Sequence, residues 1–182
     1  MKEIVFLLEE SSAKAMIEIV IQKLFNQSAT VRFIVFDGKQ DLEKNLMRKI
    51  RAYINPQALF VVMRDQDSGD CQVIKNNLRS KCEEAGKSNA VVRIVCRELE
   101  SWYLADLNAV EKAFPQYKLS DKQKRKKFRN PDLIGNPCKE LKKLVPEYQK
   151  INGSRMIAQF LDIENTRSRS YYHFIKTLKT FI

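Results

Sequence analysis

Leu59-Phe60-Val61-Val62-Met63 runs directly into Arg64-Asp65-Gln66-Asp67-Ser68-Gly69-Asp70, and near the start of the chain Ile4-Val5-Phe6-Leu7-Leu8 runs into Glu9-Glu10. Both apolar runs are short and rich in Val, Ile, Leu and Phe, the pattern of strands buried on both faces of a parallel sheet. In open α/β sheets the ligand crevice lies outside the carboxyl ends of the strands, so the two acidic clusters are expected to project into one pocket. Carboxylates that close in a water-poor crevice need a cation or a raised pKa. An oxygen-only donor set selects Mg²⁺ or Mn²⁺ over zinc.

Working outward, strand and helix patterns alternate four times. The strands are expected at Glu3 to Leu8, Val31 to Phe36, Ala58 to Met63 and Ala90 to Val95. Helices are expected at Ser12 to Phe25, Asp41 to Ile54 (stripe Leu42, Leu46, Ile50, Ile54) and Ser68 to Ala85 (Val73, Ile74, Leu78 and Cys82 facing inward), the last stopped by Gly86. Short connections force right-handed crossovers, giving an α/β, mostly parallel four-stranded sheet with helices on both faces. Asp65 and Asp67, two apart in extended backbone, would point to one side. Ser68 reads as a helix N-cap with Asp70 in the first turn.

After Cys96 the pattern turns to helices and loops. Glu98 to Phe114 is amphipathic, with Leu99, Trp102, Tyr103, Leu107, Val110 and Phe114 on its apolar face. Shorter helices are expected at Cys138 to Leu144, Ser154 to Leu161 and Ser168 to Phe181. This part has too few apolar residues for an independent domain. Residues 1–114 are therefore read as the α/β domain, and 115–182 as a basic loop and C-terminal helices packed on it.

The chain has 182 residues, four cysteines, one histidine and a formal charge of +11. A domain of this size buries roughly 70% of the surface its unfolded chain exposes, so no disulfide or structural metal is required. The cysteines form no CxxC pair, which argues against a zinc knuckle and for reduced thiols. One early lysine and five apolar residues before two glutamates are too little for a signal peptide or a membrane span, so a cytoplasmic protein is expected. From Lys118 to Lys150 eleven basic residues face four acidic ones. That segment, with Lys126, Lys127 and Arg129 at its centre, reads either as a phosphate-tracking patch or as a docking site for an acidic protein.

Glu98 and Glu100, in Arg97-Glu98-Leu99-Glu100-Ser101-Trp102, add acids after the fourth strand. They are either further metal ligands, enough for a two-metal site, or negative charge favoured at a helix N-terminus. Lys39, Lys150, Arg155, Arg167 and Arg169 are candidate phosphate contacts, or ties between the C-terminal helices and the sheet.

A Glu after strand one and DxD after strand three resemble the Toprim fold of primases, topoisomerases and overcoming-lysogenization-defect nucleases. Phe6-Leu7-Leu8-Glu9-Glu10-Ser11-Ser12 is similar to the first Toprim motif, with Glu10 where a glycine is usual. Together with Gly38-Lys39-Gln40-Asp41-Leu42, Arg64 to Cys71, Arg97 to Trp102, Gly135-Asn136-Pro137, Tyr148-Gln149-Lys150, Gly153-Ser154-Arg155 and Arg167 to Ser170, it resembles a bacterial Toprim-like family of unknown function along nearly the whole chain. The resemblance implies a Mg²⁺-dependent (or Mn²⁺-dependent) endonuclease on DNA or RNA. Glu9, Asp65 and Asp67 would be catalytic ligands, joined by Glu98 and Glu100. It also implies a partner ATPase of the ABC/AAA type in a phage-defence setting. The alternative is a non-catalytic or regulatory subunit of such an ATPase. Topoisomerase chemistry would need a tyrosine nucleophile on a separate domain, and a phospho-receiver would need a Ser/Thr and a Lys after later strands.

Overall fold

A computed structural model describes residues 2–25 and 29–181. Four strands, β1 (Lys2–Leu8), β2 (Ala29–Val35), β3 (Leu59–Asp65) and β4 (Val91–Val95), form one parallel sheet in the order β2-β1-β3-β4. The order reverses between β1 and β3, and the register sets Leu8 beside Met63. Such a switch point opens a crevice at the carboxyl edge. Glu9 and Asp65 leave the sheet on either side of it.

Alternation along β1 divides the core. Ile4, Phe6 and Leu8 face one apolar cluster and Val5 and Leu7 the other, all fully buried. Each such side chain contributes about 1.5–3 kcal/mol on burial, so a one-residue slip in register would expose both faces at once. Helices α2 (Gly38–Arg51) and α3 (Cys71–Glu84) cover the second face through Leu42, Leu46, Ile50, Leu78 and Cys82. Helix α1 (Ser11–Leu24) covers the first through Met16, Ile17 and Val20.

The C-terminal helices share that first face. They are α4 (Glu100–Leu104), α5 (Leu107–Ala113), α6 (Lys126–Arg129), α7 (Pro137–Leu144), α8 (Lys150–Ala158) and α9 (Arg169–Lys179). Helix α8 packs along α1, and α9 packs on β4 and α1. The Lys23 ammonium, from the last turn of α1, donates to the carbonyls of Ala158 (2.8 Å) and Leu161 (3.1 Å) at the end of α8. Among the described residues no helix is long and apolar enough to cross a membrane.

Several local expectations are corrected. Glu98 to Phe114 is two helices, broken at Ala105-Asp106, because the Asp106 carboxylate accepts from Ala109 N (3.1 Å) and starts α5 afresh. The N-cap of α3 is Asp70, which accepts from Val73 N at 2.9 Å, in place of Ser68. That cap starts the helix at Cys71 and leaves Val73 55% exposed. Helix α2 ends at Arg51, so Ile54 lies beyond the apolar stripe and is 98% exposed.

Candidate functional site

The end of β1 is fixed by backbone bonds to both neighbouring strand ends. Glu9 N donates to Met63 O (3.3 Å), and Glu9 O accepts from Gly38 N (3.0 Å). Gly38 has φ +83°, a left-handed conformation that glycine adopts without steric cost. It starts α2 there and brings Lys39 to the crevice. The end of β3 is laced to the turn after β4 by Gln66 N to Val95 O (2.9 Å) and Asp67 N to Arg97 O (2.8 Å).

Within this frame Glu9 Oε2 accepts from Asp65 N (3.1 Å), and Asp65 Oδ2 accepts from Leu99 N (3.3 Å), one residue before α4. Glu100 is fully buried in the first turn of α4. Its Oε1 accepts from the Tyr148 hydroxyl (3.0 Å), and its Oε2 has no hydrogen-bond partner. Glu10 accepts from Ser12 Oγ through one oxygen and pairs with Lys150 Nζ through the other at 3.1 Å.

These carboxylates are near enough to act on one another's charge. Burial raises the Asp65 carboxyl well above its ordinary value, and the charges of Glu10, Glu9 and Glu100 push the same way. Burial likewise raises Glu9, with Asp67 and Glu10 adding to it and the Asp65 N–H opposing it. Burial raises Glu100 too, and Lys150 opposes it. Burial works against the Lys150 ammonium, yet Glu10 and Glu100 outweigh it and raise its proton affinity.

Two of the expected ligands lie differently from the other three. Asp67 has φ +54°, so the chain is no longer extended there and its side chain does not parallel that of Asp65. It sits at the rim, with Oδ2 2.7 Å from Lys39 Nζ and 4.0 Å from an Arg64 guanidinium nitrogen. Glu98 Oε2 accepts from Cys138 N (2.7 Å) and so ties the start of α7 to this edge. The structure therefore gathers Glu9, Asp65 and Glu100, adds Glu10, places Asp67 at the rim and turns Glu98 toward α7.

The basic candidates divide similarly. Lys39 and Lys150 reach the crevice, whereas Lys127 pairs with Glu140 (2.5 Å) and Arg129 Nε donates to Lys124 O (3.3 Å). Arg167 donates to Ala105 O (3.4 Å), a tie between the loop before α9 and the end of α4. The backbone N of Arg169 donates to Asp132 Oδ2 (2.8 Å), while Lys126 and Arg155 are exposed.

A family model described as "Domain of unknown function (DUF4276)" matches residues 8–179. The chain belongs to the DUF4276 family. Among solved structures it is similar to the C-terminal region of the Burkholderia pseudomallei OLD protein, at 11% identity and a TM-score of 0.60, over 98% of this chain and 97% of that one. At that identity the likeness concerns the fold, and it supports a Toprim-like architecture. None of the curated proteins matches the sequence.

Three residues of this DUF4276 chain matter at the site without having stood out as candidates. Arg64 is 7% exposed in β3 and holds three acids, pairing with Glu43, Glu9 (3.8 Å) and Asp67 (4.0 Å). Its place between the apolar run and DxD was the available signal. Tyr148 carries the buried hydroxyl on Glu100, and Gly153 lets it lie there. An added Cβ at Gly153 would fall 2.4 Å from the Tyr148 ring.

The donor chemistry fits a hard divalent cation, since four carboxylates share the crevice edge and one buried oxygen is unpartnered. Among the described residues no three His, Cys, Asp or Glu side chains stand in ligating geometry. Glu9 Oε2, Asp65 Oδ2, Glu100 Oε1 and Glu10 Oε2 are engaged by backbone N–H groups, Tyr148 and Lys150.

Proposed function

We infer that this chain is a Toprim-like endonuclease, dependent on Mg²⁺ or Mn²⁺, that hydrolyses phosphodiester bonds of a nucleic acid. The observation that carries the reading is the convergence of Glu9, Asp65 and Glu100 at the switch point of the sheet, with Glu100 Oε2 buried and unpartnered. Those three, with Glu10, would hold the cation. A bound divalent ion would stabilise charge on the phosphoryl oxygens as a Lewis acid.

The chain's own groups supply the rest. Lys39 and Lys150 pair with Asp67 and Glu10 and are 47% and 43% exposed, so each can turn from its acid to a phosphate oxygen. Asp67, at the rim, holds Lys39 until then. Arg64 is buried and fixes the Glu9 and Asp67 side chains. The solved relative is named as a region of a larger protein. This supports a chain that works with a separate partner, and we place an ABC/AAA-type ATPase in that role.

A second reading has its own support. The carboxylates of Glu9, Asp65 and Glu98 already bind the backbone N–H groups of Asp65, Leu99 and Cys138, as expected of acids that merely hold the loops of a non-catalytic ATPase subunit. Cleavage of labelled single- and double-stranded DNA and RNA separates the two. The nuclease reading expects products with Mg²⁺ or Mn²⁺, none with EDTA, and none from Asp65→Ala or Glu100→Gln. Metal-dependent cleavage that survives both substitutions would refute it, and inactivity of the wild type even with the ATPase present would favour the subunit.

A further inference from the structure

A chain of shallow hollows runs away from the carboxylates across the end of β4. The first is lined by Gln66, Ser68 and Gly69 of the DxD turn together with Cys71 and Gln72. The second, about 760 Å³, shares Gln66, Cys71 and Gln72 with it and adds the cations Lys75, Arg93, Arg97 and Arg169. The third, also about 760 Å³, shares Asn130 and Leu133 with the second and adds Lys126, Lys127, Lys139 and Lys143. Shared walls make them one trough, whose near end is the turn from Gln66 to Gln72 that follows Asp65 in the chain.

The trough is basic in effect as well as in count. Its acids are already engaged: Asp70 caps α3, Asp132 accepts from Ser168 and from the backbone of α9, and Glu140 is paired by Lys127 and Lys143. Lys75, Arg93, Arg97, Arg169, Lys126 and Lys139 form no ion pair among the described residues. His173 reports the resulting field. Its imidazole is pushed below its ordinary pKa by partial burial and then by Arg93, Arg169, Lys176 and Lys75.

Between the cations lie flat or apolar surfaces. Leu133 is 73% exposed where the second and third hollows meet, and His173 lines the second. Cations interleaved with such surfaces suit a strand whose base faces are free, which a duplex conceals.

We propose that this trough is the track of a single-stranded nucleic acid, laid from the α7 lysines over the end of β4 to the carboxylate crevice. The proposal rests on the nucleolytic reading above for its direction, but binding along the track needs no metal. Each phosphate contact to a single strand contributes about 0.7 to the log–log dependence of affinity on salt.

The test is fluorescence anisotropy of the full chain with a labelled mixed-sequence single strand, in EDTA, over a range of salt. Lys126→Ala/Lys139→Ala should weaken binding about tenfold and reduce the salt slope by about 1.4. Lys75→Ala/Arg169→Ala should behave alike, and Lys44→Ala/Arg48→Ala, outside the trough, should match the wild type. Mn²⁺ binding by the trough variants should equal that of the wild type, which shows them folded and judges the carboxylate reading separately. The proposal is overturned by no strand binding in the wild type, by trough variants that bind normally, or by equal loss in the outside variant. It is also overturned if a duplex, or poly-glutamate, competes as well as the single strand.

Discussion

Gly153→Ala should destabilise the protein, although replacing a glycine inside a helix ordinarily stabilises by about 1 kcal/mol. The new Cβ would stand 2.4 and 2.5 Å from two carbons of the Tyr148 ring. Carbon contacts need about 3.5–4.0 Å, so the ring must retreat by about 1 Å or more. Tyr148 is only 2% exposed, and the Tyr103 ring lies edge-on beside it at a centroid distance of 6.4 Å. The retreat carries the hydroxyl off Glu100 Oε1, leaving both oxygens of a fully buried carboxylate unpartnered.

Overpacking costs about 1–3 kcal/mol, and a stranded buried acceptor costs about 1–3 kcal/mol. Set against the helical gain, the net loss is about 3 kcal/mol, or about 6–12 °C in a chain of this size. Urea and thermal unfolding followed by circular dichroism would measure it. Tyr148→Phe should lose only the hydrogen-bond part. In a Tyr148→Ala background the same Gly153→Ala change should be neutral or stabilising. If Gly153→Ala is neutral or stabilising in the wild type, Tyr148 does not pack on α8 as described and the support under Glu100 is wrong.

Three further outcomes follow from the site and its frame. Burial and the neighbouring Glu10, Glu9 and Glu100 charges raise the Asp65 carboxyl, so the folded chain binds that proton more tightly than the unfolded one. Stability should therefore fall as pH rises from the unfolded value of about 4 through the higher folded one. Asp65→Asn should then melt above the wild type at pH 7 without metal, with the difference gone in acid; equal melting at both pH values would contradict this. Asp70→Ala should cost about 1 kcal/mol in urea unfolding by removing the α3 cap, whereas Ser68→Ala should cost nothing measurable; the reverse order would restore the sequence-based assignment. Saturating Mn²⁺ at about 100 times its Kd should stabilise the wild type by about 2.7 kcal/mol, reversibly with EDTA, and leave Asp65→Ala unmoved; a shift in both would place the ion elsewhere.

The sheet was legible because its strands are apolar runs that end in turn chemistry, and parallel packing buries such runs on both faces. The neighbouring exits of Glu9 and Asp65 followed from that alone. What failed to follow depended on single torsions and on distant partners. Residue spacing places Asp65 and Asp67 on one side only while the backbone stays extended, and φ +54° at Asp67 ends that. Glu98 and Glu100 looked equivalent in sequence, yet one precedes α4 and bonds Cys138 N while the other enters its first turn and is buried. Tyr148 sits 48 residues from Glu100, too far for any local pattern to join them. The single long helix expected after β4 satisfied the apolar period but ignored the capping strength of Asp106.

The most direct test of the central claim is calorimetric titration of Mn²⁺ into the wild type, Asp65→Ala, Glu100→Gln and Glu98→Gln. The account predicts binding by the wild type and by Glu98→Gln, and loss of binding in Asp65→Ala and Glu100→Gln. Absence of binding in the wild type, or binding unchanged in Asp65→Ala and Glu100→Gln, would contradict it.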